Sequence, residues 1–529
     1  MTEQKRKVLL PLLLSLMMVA GMYIGYELRD KTGGGNKFFS TSGKSSVQEV
    51  MDLVKSRYVD QVQVDSIAQL AIDQILSHLD PHSIYIPPTE LTDVNDELMG
   101  SFQGVGIEFQ MLQDTLHVTN VVKEGPSDKA GVQIGDKLLT VNDSIALSGR
   151  GITAEEIRNK LRGEAGTTVV FMILRNAKQL KLNVTRGKIP VPTIESAYEI
   201  AKGIGYIRID RFGERTYEEF MQHLEALQKK GATQLIIDLR ENGGGLLAEA
   251  TAIADEFLSE DKLVVYTEGV RSNKYEYRCK REGLFEKGNL VVLVDETSAS
   301  ASEVLAGALQ DWDRATIVGR RTFGKGLVQQ QFSLSNGGAV RLTTARYFTP
   351  LGRNIQKPYA HQPREQYNDE YINRYKHPAA VATDTVSVGP VFKTPKGKKV
   401  YGGGGITPDI QIAFDTLFNA PILLELYDKR VFGRFVYQFY TSHKNQFSGI
   451  QQVAQLASVF DAQKEWGRFL QAAQNDSINL TKVSPNVQQY IQLHLHAMMA
   501  RQLFDMDGYL RVLNAKDNLI DKALSVLQK

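Results

Sequence analysis

Two apolar runs constrain this chain more than anything else in it. Gln234-Leu235-Ile236-Ile237-Asp238-Leu239-Arg240 and Asn289-Leu290-Val291-Val292-Leu293-Val294 are short and rich in β-branched residues, the pattern of buried strands. The first breaks at Glu241-Asn242-Gly243-Gly244-Gly245 and runs into a helical pattern, Leu246 to Leu258. The second breaks at Asp295-Glu296-Thr297, and Ser298-Ala299-Ser300-Ala301-Ser302-Glu303 then opens the helical pattern Val304 to Leu309. A strand at Gly205–Ile209 and an amphipathic helix from Thr216 to Lys230 precede both. Strand and helix therefore alternate from residue 190 onward, which predicts an α/β architecture.

Ser300 has the setting its chemistry needs. A serine on a strand-to-helix turn has an exposed hydroxyl and lies beside free helix N-terminal amides, which can hold an oxyanion. No histidine occurs between residues 224 and 360 to serve as its base. The nearest suitable group is Lys325, in Thr322-Phe323-Gly324-Lys325-Gly326. An ammonium acts as general base only when desolvation lowers its pKa from about 10.4 toward neutrality. The flanking runs Thr316–Gly319 and Gly326–Val328 are apolar enough for that. Serines in small-residue turns are mostly helix caps, and Ser298 and Ser302 are read as caps or packing residues. Gly319-x4-Gly324-Lys325 also fits most of a phosphate-binding loop, but Gly326 stands where the metal-binding Ser or Thr belongs. The next segment, Leu327 to Phe332, reads as a strand where that motif needs a helix.

These residues resemble the C-terminal processing peptidases, or tail-specific proteases, which use a serine–lysine dyad. The similarity rests on the SASE turn, the helix Val304 to Asp311, the TFGKG loop and a glutamine four residues after the lysine. It implies Ser300 as nucleophile, Lys325 as base and Gln329 as the group that orients the lysine, with no cofactor and no metal. The segment Asp238-Leu239-Arg240-Glu241-Asn242-Gly243-Gly244-Gly245 resembles the family's source of one oxyanion amide, at Gly244 or, one register on, Gly245; Ala301 gives the other. Gly243 stands where proline or serine is often found. The resemblance also implies a core related to the crotonase and Clp peptidase folds. Arg341 to Pro350, Gly352 to Gln356 and Gly405 to Ile410 continue it, the last after an insertion near 359–400 that reads as a lid or an extra hairpin.

Residues 93–188 look like an inserted PDZ domain. Phe102-Gln103-Gly104-Val105-Gly106-Ile107 resembles the carboxylate-binding loop, in which glycines let backbone amides converge on a terminal carboxylate. Gly125-Pro126-Ser127, Ala130-Gly131-Val132 and Gly135 to Asn142 follow in the expected order. Thr153 to Leu161 is the expected groove helix, with Ile157 and Leu161 as wall residues beside the Gly104, Val105, Gly106 and Ile107 loop.

The ends differ. Lys5-Arg6-Lys7 precedes Val8 to Tyr26, an uncharged run long enough for one membrane span. The basic side would stay cytoplasmic, placing the rest in the periplasm of a bacterium on a single-pass inner-membrane anchor, with a cleaved signal as the alternative. The expected organisation is 1–31 anchor, 32–92 tether and helical segment, 93–188 PDZ domain, 189–415 peptidase core and 416–529 helical region. His78 and His82 are four apart, but Pro81 is expected to end their helix, and His494 and His496 would face different sides of one. Both pairs are read as structural.

Among the chain's 529 residues, a net charge of +2 gives no support for a nucleic-acid partner. The single cysteine, Cys279, excludes an intrachain disulfide and is read as a surface or hairpin thiol. The function expected is a serine endopeptidase that takes the C-termini of extracytoplasmic proteins or peptides in its PDZ groove and cuts upstream. Apolar stripes in the helical ends must be buried against the core or another chain; because similar peptidases build homo-oligomers from their flanking helical segments, the resemblance implies a homo-oligomer, with a dimer favoured. The alternatives are a catalytically inactive PDZ scaffold and, by fold analogy alone, an acyl-CoA enzyme.

Overall fold

The computed structural model describes residues 15, 17–23, 45–143, 145–147, 151–359, 367, 389–413 and 420–528. Two compact units result, Met1–Ile72 and Asp73–Lys529. In the first, Ser45 caps the helix Ser46–Arg57 by accepting from Gln48 N, and Val47, Val50 and Leu53 on that helix are exposed. A second helix spans Val64–Ser77.

The expected membrane anchor is corrected here. Among the described residues no helix is long and apolar enough to cross a membrane. Of the run Val8 to Tyr26, only residue 15 and residues 17–23 are described, as helix. The rest of that run, and the tether before residue 45, lie outside the described residues.

In the second unit, the alternation read from the sequence becomes one six-stranded sheet. Its order is Ile194–Ala201, Ile204–Ile209, Gln234–Asp238, Leu290–Val294, Thr316–Gly319 and Ile410–Gln411, parallel except for the first pair. Side chains alternate between its faces. Ile207, Leu235, Ile237, Val292 and Val294 meet Phe220, Leu224, Ile253, Val304 and Leu305 of the helices Thr216–Lys229, Leu247–Asp255 and Ala301–Asp311. Tyr206, Ile236, Val291, Leu293 and Val318 point the other way, onto Ile520, Ala523 and Leu527 of the last helix, Asn518–Leu527. Ten residues are too few for an isolated helix to be stable. Each fully buried Leu or Ile contributes about 1.5–3 kcal/mol, so it is this burial that holds the last helix.

A second sheet orders Ile84–Ile86, Ala339–Phe348, Leu263–Gly269 and Ser272–Arg278, with Leu327–Ser333 also paired to Ala339–Phe348. The strand expected after Gly326, in place of a phosphate-binding helix, is therefore present. Cys279, at the end of its hairpin, is not on the surface: it is buried in the main core, and burial beside Asp255 pushes its thiol up to about 12. In the insertion, Val391–Lys393 and Lys399–Tyr401 form a hairpin, while residues 360–366 and 368–388, on which a lid would fall, lie outside the described residues.

Residues 107–185 form a third sheet around the helix Ala154–Leu161, whose Thr153 and Glu156 make a reciprocal cap. An antiparallel ribbon, Ser101–Gly104 with Gly187–Pro190, joins this sheet to the rest. The region from Pro421 is helical, as expected, but its stripes mostly bury one another. Phe432, Phe435, Phe439, Phe460 and Phe469 build a separate core there with Leu495 and Met499.

Candidate active site

Strand Leu290–Val294 ends in a turn that Asp295 organises, its Oδ1 accepting from Thr297 N at 2.9 Å and Ser298 N at 3.0 Å. Ser298 Oγ donates to Leu239 O at 2.7 Å, and Ser302 Oγ to Asn242 O at 3.0 Å. These two buried serines staple the turn to the glycine turn that ends the neighbouring strand. Ser300 lies between them at φ 56° and ψ −113°. A positive φ at a non-glycine residue is strained, and strain of this kind persists only where surrounding contacts over-determine it.

Glu303 supplies such contacts. It is fully buried, and four donors converge on its carboxylate. Ser300 N and Lys325 N reach Oε2 at 2.9 and 2.8 Å, while Thr322 Oγ1 and Gly324 N reach Oε1 at 2.5 and 2.8 Å. Burial pushes its pKa up and the four hydrogen bonds oppose that shift. Tyr347 Oη lies 3.1 Å from Ser300 O and 2.5 Å from Lys325 O. One acid and one phenol thus tie the serine turn to the lysine loop.

Lys325 Nζ donates to Gln329 Oε1 at 2.9 Å, and Gln329 Nε2 donates to His82 O at 2.6 Å. The second bond fixes the amide so that its oxygen faces the lysine. Burial foremost, then the Arg341 charge, holds the Lys325 pKa below the ordinary lysine value, with Glu303 and Asp80 partly opposing. Asp80 in turn shapes the His82 turn by accepting from His82 N and Ser83 N, both at 2.8 Å. The helix before it ends at Ser77, so His78 and His82 share no helix.

Ser300, Ala301, Lys325, Gln329 and Gly243 to Gly245 line one cavity of about 690 Å3, with Phe212, Leu247, Val304 and Leu327 as apolar wall. A Cβ on Gly244 would stand 2.7 Å from both Ala299 O and Ser300 Cβ, and its φ is +101°, so only glycine allows this approach. The Gly244 N–H, however, donates to Asn242 Oδ1 at 2.8 Å. Gly244 is thus not the free donor expected of it. Phe212 N donates to Gly244 O and Leu246 N to Phe212 O, which turns the amide of the exposed Gly245 away from Phe212.

The expected recognition loop lies elsewhere. Gly104, Val105 and Gly106 are buried, and Gly106 has φ +73°. Val105, Ile157 and Leu161 are buried in one apolar cluster, with Ile107 packed against it. Glu303, Tyr347, Asp80 and the His82 carbonyl were not singled out from the sequence. Glu303 left a local signal there, an acid three residues after a serine at a helix start, and Asp80, His82 and Tyr347 lie in the segments Leu79–Tyr85 and Arg341–Pro350, which also resemble the processing peptidases.

Comparison with known proteins matches peptidase family S41 over residues 203–363, a PDZ domain over 104–185 and a family of unknown function over 422–505. A carboxy-terminal-processing protease of Bartonella bacilliformis is 36% identical over 315 residues, covering 58% of this chain and 71% of its own length. The carboxy-terminal processing protease CtpB of Bacillus subtilis is 32% identical over 317 residues, 59% of this chain and 65% of its own length, a little under two thirds. Among solved structures, a photosystem II D1 C-terminal processing protease is 28% identical, covers 70% of this chain and 87% of that chain, and has a TM-score of 0.37.

Proposed function

The chain belongs to the carboxy-terminal processing proteases, serine-type peptidases of family S41, and from that premise we propose that Ser300 and Lys325 cut substrates whose C-terminal tails the PDZ domain holds. The observation that carries this reading is the half-buried Lys325 amine, opening on the same cavity as Ser300 with its pKa held down. A neutral amine has one lone pair. With Gln329 Oε1 accepting one of its N–H bonds, that pair is left for the serine proton.

Ser300 Oγ attacks the scissile carbonyl carbon as its proton passes to Lys325 Nζ. The oxyanion is held by the Ala301 N–H, which as the first residue of its helix has no intrahelical acceptor, and by the Gly245 N–H in place of Gly244. Collapse breaks the C–N bond, Lys325 returns the proton to the leaving amine, and water then releases the acyl group by the same route. Capture rests on the Gly104–Ile107 loop, where amides released by glycine geometry meet a carboxylate beside Ile157 and Leu161. The exposed Val47, Val50 and Leu53 support a dimer; a monomer by light scattering of the full chain would end that part.

The test compares one substrate with a free apolar C-terminus and the same substrate amidated. The free form should be captured and cut, the amidated form captured poorly, and the Ser300→Ala form should capture without cutting. Cleavage by purified Ser300→Ala removes the assignment. Equal cleavage of free and amidated substrates removes the PDZ role.

A further inference from the structure

The helical region 420–528 contributes nothing to the chemistry above, yet it is bonded to the PDZ domain and to the catalytic sheet at once. On the PDZ side, Tyr437 Oη lies 3.0 Å from His117 Nδ1, Gln502 Nε2 donates to Thr119 O at 2.8 Å, and Asn120 Nδ2 donates to Asp505 Oδ1 at 3.0 Å. Arg501 pairs with Glu108 at 3.6 Å. The residues gripped lie on the paired strands Ile107–Leu112 and Thr115–Val121, where Leu116 and Val118, alternating with His117 and Thr119, are fully buried. The grip is therefore on the outer face of the PDZ sheet. Strand Ile107–Leu112 stands at the end of that sheet, so its free edge, where an added peptide strand would pair, is a different surface.

On the catalytic side, Ser196 Oγ donates to Asp507 at 2.6 Å, Asn514 Nδ2 donates to Tyr198 Oη at 3.0 Å, and Arg240 pairs with Asp517 at 2.5 Å. Arg501, Gln502, Asp505, Asp507 and Asn514 all belong to the helix Pro485–Asn514, which is broken at Phe504 (φ −133°, ψ 19°) and Asp505 (φ 52°, ψ −151°). The break divides the residues that hold the PDZ domain from those that hold the catalytic sheet. A left-handed φ at a non-glycine residue needs a reason, and the Asn120 bond to Asp505 supplies one. Without this helix, the backbone link of the PDZ domain to the sheet among the described residues is the ribbon Ser101–Gly104 with Gly187–Pro190, a two-stranded strap about which a domain can swing.

We propose that the C-terminal helical region is a bracket that fixes the PDZ domain relative to the catalytic sheet and so sets how far from a substrate's C-terminus Ser300 cuts. The proposal rests on the PDZ reading above and adds a ruler to it. A tail anchored at the Gly104–Ile107 loop presents one short stretch of its upstream chain to the cavity only while the two sites keep a constant separation.

The experiment uses the full chain in two forms. In the first, Asn120→Cys and Asp505→Cys are bridged by a short bismaleimide; the buried Cys279 thiol, held near 12, stays unmodified. The bridged protein should cut a substrate with a free apolar C-terminus at the same bond and rate as before bridging. Loss of cleavage on bridging means the PDZ domain must swing during turnover and overturns the bracket. In the second, Gln502→Leu with Tyr437→Phe loosens the grip. Mass spectrometry should then find cuts scattered over neighbouring bonds, while a peptide too short to reach the PDZ domain is cut as by the parent. A single unchanged cut site overturns the ruler. Equal cutting of free and amidated substrates by the parent removes the PDZ reading and the ruler with it. Either of the first two failures with tail dependence intact removes the bracket alone.

Discussion

Around Glu303, four donors from two segments converge on one carboxylate that solvent does not reach, whereas across the outer face of the PDZ sheet a similar number of bonds joins groups that are each partly exposed. In the first setting no water can replace a lost partner, so one substitution leaves several buried N–H groups unsatisfied. In the second, water enters when a bond is lost and the net cost is small. The chemistry is held by a network that fails as a whole, the recognition unit by contacts that fail one at a time.

The largest expected effect belongs to Lys325. Lys325→Arg keeps the charge and loses the base, because a guanidinium does not deprotonate in the usable range. Turnover should fall by several orders of magnitude while tail binding is unchanged. In the parent, burial and Arg341 disfavour the ammonium, and in the proposed mechanism the neutral amine is the active form. Activity should therefore rise with pH through a midpoint below about 10.4. An arginine variant active at neutral pH would break the contrast at its centre.

Glu303→Gln comes next and sharpens it. The amide would turn an NH2 group toward donors that now meet an oxygen, and the serine turn and lysine loop would shift apart. Misplacement on the order of 1 Å costs about a hundredfold in rate. A purely structural role predicts nothing further. The Glu303 charge, however, raises the Lys325 pKa, so its removal should move the acid limb of the rate profile to lower pH. A slower enzyme with an unmoved midpoint would make Glu303 a scaffold residue alone.

These two regions also differ in how far the sequence reveals them. The strand, turn and helix around Ser300 were legible because they follow one another closely in sequence. Lys325 was singled out from the missing histidine and the apolar runs around it, and it lines the same cavity as Ser300. Glu303 stood in the same turn, but Thr322, Gly324 and Lys325, three of its four donors, come from about twenty residues further on, and periodicity carries no trace of them. Gly244, read from the sequence as an oxyanion amide, does lie against the serine turn, yet the use of its N–H by Asn242 is a matter of side-chain geometry that no spacing encodes. The contacts of the helical region with the PDZ domain join residues more than 300 positions apart. Its apolar stripes showed that it must bury something; that they bury one another, and that the last helix covers the catalytic sheet, depended on topology.

The smallest expected effect tests the forgiving side of the comparison. His117 sits between the PDZ sheet and Tyr437, and burial, with the nearby Lys137 charge second, holds its pKa down to about 4. An unfolded histidine titrates near 6.5. Between those values the unfolded chain binds the proton more readily than the folded one, so this contribution to stability is complete above about pH 6.5 and is lost as pH falls through 4. Because the ring is only half-buried, the loss should be roughly 1–2 kcal/mol, less than the full shift implies. The check is thermal melting of the parent and of His117→Gln, which keeps a hydrogen-bonding group and cannot charge, at pH 7.5 and pH 4.5. The variant should lose less stability on acidification than the parent. Parallel acid slopes in the two proteins would mean that His117 does not titrate at this contact, and the PDZ attachment would then be as insensitive to one lost bond at low pH as at neutral pH.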